Sequence, residues 1–123
     1  MANPNIINVA SIYGNTSYLI PSTTAATTWT ALTPAAGTVN KIDNIVATNV
    51  TSAIATVTVS INSAAAGAGT AYRLVYQVPV PINASIVVAD KNTAFYLGEA
   101  QSIVVTVGTA SAIELTASYE AIT

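Results

Sequence analysis

Ala55-Thr56-Val57-Thr58-Val59-Ser60-Ile61-Asn62 alternates apolar and polar side chains without interruption. In an extended chain successive side chains leave opposite faces, so Val57, Val59 and Ile61 share one face and Thr56, Thr58 and Ser60 the other. That two-residue period belongs to a sheet with one side in a core. The same period returns in Tyr72, Leu74, Tyr76 and Val78 against Arg73 and Gln77. It returns again in Ile113, Leu115, Ala117 and Tyr119 against Glu114, Thr116, Ser118 and Glu120.

Working outward, Ala, Thr, Val and Ile dominate the chain. The last three are β-branched and favour a pleated surface over a helix, and no window reads convincingly as helix. Strands are predicted near 5–13, 16–20, 25–32, 39–49, 54–62, 70–78, 84–89, 94–97, 101–107 and 112–121. Gly14-Asn15, Pro34 to Gly37, Asn49 to Ser52, Pro79 to Pro81, Lys91-Asn92 and Gly108 to Ser111 fall between the apolar runs and supply turn dihedrals. The Ala- and Gly-rich tract from Ser63 to Gly69 reads as a flexible hairpin loop. Turn signals about ten residues apart predict an all-β antiparallel sandwich of about 8–10 short strands, either jelly-roll-like or immunoglobulin-like. With 123 residues the chain is one domain, with residues 1–10 as a candidate extended arm.

Composition narrows function by exclusion. Three Lys and Arg residues stand against five Asp and Glu, and charged residues make up 7% of a chain that is 52% hydrophobic. Lys41, Arg73 and Lys91 are too few to neutralise a run of phosphates, so no nucleic-acid role is expected. His and Cys are absent, which removes imidazole and thiolate chemistry, zinc sites and disulfides. Apolar runs such as Ile86 to Ala89 are strand-sized, far short of the roughly 20 residues that cross a bilayer as a helix, so no membrane role is expected either. The opening Met1-Ala2-Asn3-Pro4-Asn5 lacks the features of a secretory signal, so the product is expected to stay in the cytoplasm where it is made or join a particle assembled there.

The remaining acids do not form a convincing catalytic set. Glu114 and Glu120 share a strand face, but six residues of strand separate them by about 20 Å, beyond the reach of a paired-carboxylate glycosidase. Asp43 and Asp90 each lie near a Lys and an Asn in turn-like contexts. Ser and Thr are plentiful but have no histidine base. Gly67-Ala68-Gly69 leads into a strand, not the helix that would hold a phosphate. No enzyme and no cofactor are expected. Asn15-Thr16-Ser17, Asn49-Val50-Thr51 and Asn83-Ala84-Ser85 fit the glycosylation pattern and are read as Asn-rich turns.

Aromatic residues offer the other line of argument. Tyr72, Tyr76, Tyr96 and Tyr119 alternate with polar neighbours and are read as core or core-rim residues with wet hydroxyls. Tyr13, Tyr18 and Trp29 lie in the irregular first part and fit either an interface or plain packing. A sugar-stacking platform that includes Trp29 is the alternative use of these rings. Asn3, Pro4, Ile6 and Ile7, in the candidate arm, complete the interface set. A charge-poor surface suits a protein covered by neighbours, since a free monomer normally relies on mixed charge for solubility.

Several stretches resemble small virion structural proteins of tailed bacteriophages, cyanophages in particular. They are Met1-Ala2-Asn3-Pro4-Asn5-Ile6, Ile45-Val46-Ala47-Thr48-Asn49 followed by Thr56-Val57-Thr58-Val59, Tyr72, Val78-Pro79, Ile86-Val87-Val88, Leu97-Gly98-Glu99 before Ile103, and Ser118-Tyr119-Glu120-Ala121-Ile122. The resemblance implies a β-sandwich homo-oligomer without catalytic residues, located in the virion. It implies a capsid decoration or cement protein contacting the major capsid protein or other virion proteins, with a trimer as the expected oligomer. A place on the neck, tail or fibre is the alternative, and a carbohydrate-binding attachment module is another.

Overall fold

The computed structural model describes residues 9–123. Among these described residues nine strands form: β1 (Ile12–Leu19), β2 (Thr27–Thr28), β3 (Val39–Asn49), β4 (Ala55–Asn62), β5 (Ala71–Val80), β6 (Ser85–Ala89), β7 (Phe95–Leu97), β8 (Ser102–Val107) and β9 (Ile113–Ile122). Every strand pairing is antiparallel. The fold is an all-β sandwich, as the alternation predicts.

One sheet runs β1-β9-β3-β6 and the other β2-β8-β4-β5. β6 and β7 lie one after the other along the same edge of β3, opposite Ile45–Thr48 and Asn40–Ile42 respectively, so they act as one edge strand broken by a turn. Counting them together leaves two four-stranded sheets between which the chain crosses repeatedly, the double Greek-key arrangement of a jelly roll. The ABED/CFG grouping of an immunoglobulin domain is not present. Of the two architectures left open by the sequence, the jelly roll is the one adopted.

The alternating stretches supply the core. Val57 and Val59 from β4, Ile103 and Val105 from β8, and Ile113 and Leu115 from β9 are fully buried between the sheets. An extra residue at Asp43 shifts the β3–β9 register, and Asn44 Oδ1 then accepts the Ser118 N–H at 3.1 Å. Among the described residues, no buried side-chain nitrogen or oxygen lacks a hydrogen-bond partner.

Three expectations need correction. Gly14-Asn15 is not a turn: β1 passes straight through it, because Gly14 keeps an ordinary φ and an edge position leaves its missing side chain without consequence. The strand predicted over 25–32 shrinks to Thr27–Thr28 and is followed by a 3₁₀ turn, Thr30–Leu32, that drives Leu32 into the core. The tract after β4 is not a loose hairpin loop. It folds across the outside of the β2-β8-β4-β5 sheet, where Asn62 Nδ2 donates to the Gly67 carbonyl at 2.8 Å and the Gly67 N–H to Ser102 Oγ at 2.9 Å. Ser102 Oγ in turn donates to the Ala64 carbonyl at 2.8 Å. Ser60, Asn62, Ser102 and Val104, on the sheet's outward side, are thereby buried.

Candidate interaction surface

The side chains singled out from sequence fall into three groups. Asn3, Pro4, Ile6 and Ile7 lie outside the described residues. Tyr13 and Tyr18 stand on β1 and are 64% and 74% exposed, so both are available to a partner. Trp29 is 1% exposed, and its indole N–H donates to Ser17 Oγ at 3.0 Å. Trp29 is therefore a core residue, neither an interface nor a sugar platform.

Tyr72, Tyr76 and Tyr96, expected at the core or its rim, are instead well exposed. On β5 the pairing with β4 is irregular: register shifts at Val57/Val59 and Val59/Ser60, with Gln77 at φ 47°, break the alternation beside Tyr76, whereas Tyr72 still pairs opposite half-buried Ile61 and is exposed near the start of this edge strand. Arg73 lies over the Tyr76 ring with its guanidinium carbon 5.1 Å from the ring centre, a cation–π contact. Tyr119 alone meets the expectation, half-buried with its hydroxyl donating to the Ala31 carbonyl at 3.3 Å.

The acids are spread over the molecule. Glu120 pairs with Lys41 at 3.9 Å, and Lys41 also reaches Asp43 at 3.9 Å, all on the outer face of the first sheet. Glu114 is exposed farther along β9. Asp90 Oδ1 accepts the backbone N–H of Asn92 at 2.9 Å and of Thr93 at 3.2 Å, the turn role read from sequence. Glu99, which sequence reasoning passed over, is 8% exposed and accepts the Gly37 N–H at 2.8 Å, joining the loops before β3 and before β8. Among the described residues no three His, Cys, Asp or Glu side chains gather as a metal-binding group, and no helix is long and apolar enough to cross a membrane.

What remains is surface. Ile12, Tyr13, Tyr18, Ile20, Val87 and Tyr96 are large, apolar and exposed around the first sheet, which also carries Lys41, Asp43, Glu114 and Glu120. No family model, curated protein or solved structure matches the chain.

Proposed function

We propose that this protein is a non-enzymatic structural component of a tailed-bacteriophage particle. In this reading it is a decoration protein that lies on the capsid as a homo-oligomer, contacts the major capsid protein and stabilises junctions between capsomers. The carrying observation is the number of large apolar side chains left exposed on a complete sandwich whose surface has little charge. Such a surface gains by being covered. Many small contacts across seams that internal pressure tends to open then add through multivalency. The sequence resemblance to virion proteins supports the same reading, and a place on the neck, tail or fibre would use the same surface.

A second reading is favoured by one observation. Tyr76 is exposed with Arg73 over its ring, and Tyr72 is exposed farther along the same strand; a ring beside a guanidinium is able to stack against and hydrogen-bond a glycan. A glycan array with the Tyr72→Ala/Tyr76→Ala variant separates this attachment role from cementing.

The cement reading is tested by adding purified protein to capsids that lack it. Saturable binding at a fixed ratio to the major capsid protein, with a rise in capsid melting temperature, is the expected result. Capsids that neither bind the protein nor gain stability would refute it.

A further inference from the structure

An unpaired sheet edge invites another strand, and proteins usually block such edges with shortness, charge, proline or bulges. Three edges of this sandwich are blocked. β2 has two residues. β5 carries Arg73, Pro79 and two register shifts. The β6/β7 edge is broken by a turn containing Asp90 and Lys91. β1 has none of these devices: Ile12-Tyr13-Gly14-Asn15-Thr16-Ser17-Tyr18-Leu19 is eight residues long, uncharged, free of proline and paired without a bulge to β9. Among the described residues nothing pairs with its other side.

We propose that β1 pairs antiparallel with β1 of a second copy, joining two β1-β9-β3-β6 sheets into one across a two-fold axis at Asn15. This rests on the reading of the chain as an assembly component and names its partner. Ser17 and Leu19 face the core, so Ile12, Gly14, Thr16 and Tyr18 share the outer face. A two-fold axis normal to the sheet keeps outer faces together, so only residues of like parity can meet. With Asn15 on the axis, Ile12 lies opposite the partner's Tyr18, and Tyr18 opposite the partner's Ile12. The pair thus gains two aromatic–β-branched cross-strand contacts, a favoured combination. An axis at Thr16 would set Gly14 against Tyr18 and make neither contact. The contact is isologous, unlike the heterologous contact that the expected trimer requires.

Charge is consistent with a second copy, and the small area sets its strength. In this register the nearest like carboxylates, the two Glu120 residues beside Gly14, lie about 16 Å apart by strand spacing, beyond the screening length at physiological salt. A strip roughly 27 Å long and one sheet, about 10 Å, deep covers about 270 Å² per copy, about 540 Å² for the pair, below the roughly 1,000 Å² of a stable specific interface. The isolated pair is accordingly weak, visible at high concentration and reinforced on a lattice.

The register can be tested directly. The chain has no cysteine, so Asn15→Cys carries the sole thiol, and on the axis it meets its own copy. Mild oxidation should give a covalent dimer at least tenfold faster than the control Thr23→Cys, in an exposed loop. In sedimentation at rising concentration the wild type should dimerise. I12K/Y18K, which sets Lys against Lys twice, should stay monomeric, and I12K/Y18E, which sets Lys against Glu twice, should recover the dimer. Equal crosslinking of the two cysteine variants, or a wild type that is monomeric throughout, would overturn the pair and assign the edge to another virion protein. Neither result bears on whether the protein binds capsids, and failure to bind capsids leaves the solution dimer standing.

Discussion

The Trp29 indole N–H donates to Ser17 Oγ at 3.0 Å, joining the segment after β2 to the inner side of edge strand β1. Ser17 is the one buried position on β1. The strand that offers its outer edge to a partner is therefore held from within by a large core side chain. A fixed edge is a better pairing surface than a loose one, because less conformational entropy is lost on contact.

Trp29→Ala should lower stability by about 3–5 kcal/mol, since it removes a fully buried aromatic and leaves a cavity. At this chain length that is roughly a 10–20 °C fall in melting temperature, measurable by calorimetry. A change below about 1 kcal/mol would contradict the placement of Trp29 in the core.

Ser102→Ala should detach the loop that covers the second sheet. The Gly67 N–H and the Ala64 carbonyl both lose their partner, at a cost of about 1–3 kcal/mol for buried groups left unpaired. Hydrogen exchange should show the Gly67 amide protected in the wild type and exchanging at least tenfold faster in the variant. Equal rates would mean that the loop is not held by Ser102.

Gly69→Ala should be worse tolerated than substitution of Gly14. Gly69 has φ 77°, and an added Cβ would meet the Ala64 backbone nitrogen at 2.9 Å, whereas Gly14 has open space around it. A loss of about 1–3 kcal/mol is expected for Gly69→Ala, against a change within about 0.5 kcal/mol for Gly14→Ala. Urea titrations of the two variants compare them directly, and equal midpoints would contradict the backbone assignment.

The strands of this jelly roll are legible where one face is buried and the other wet. Thr56 to Val59 and Ile113 to Ala117 show both faces in their alternation, and the structure places them accordingly, whereas Ser60 is buried on the outward side beneath the loop after β4. Tyr72 and Tyr76 carry the same alternation in their letters, yet both are exposed. Beside Tyr76 the alternation is broken by shifts in the pairing with β4, which no local pattern on β5 records, and Tyr72 lies near the open start of an edge strand. Trp29 illustrates the converse: it sits in a stretch with no period, and its burial goes with a long-range partner, the Ser17 hydroxyl on β1, that no local pattern records. Tyr13 and Tyr18 were within reach of sequence reasoning, but the unblocked edge beneath them appears only when all four edges are compared.

Asn49→Ala should destabilise the corner after β3. The buried Asn49 amide donates to the Ala53 and Val80 carbonyls at 2.7 and 3.0 Å, and its oxygen accepts the Thr51 N–H at 2.9 Å. Its Asn-Val-Thr pattern is thus a turn, as read from sequence. A loss of about 1–3 kcal/mol is expected, read from a shifted urea midpoint with unchanged slope.

Lys41→Met should change stability by less than about 0.5 kcal/mol. Both of its ion pairs are 3.9 Å long, and all three side chains are about a third exposed, where screening leaves little net attraction. Stability measured from low to high salt should likewise stay nearly flat. A strong salt dependence would show that charge matters more to this fold than the few ion pairs imply.

The proposed decoration role requires this surface to be covered on a phage particle. Cryo-electron microscopy of the purified virion, at a resolution that distinguishes an eight-residue strand, shows whether it is. Jelly-roll density on the capsid lattice, with the large apolar side chains of the first sheet at contacts, is the expected result. Particles without this chain, together with a protein that purifies as a monodisperse monomer at every concentration, would contradict it.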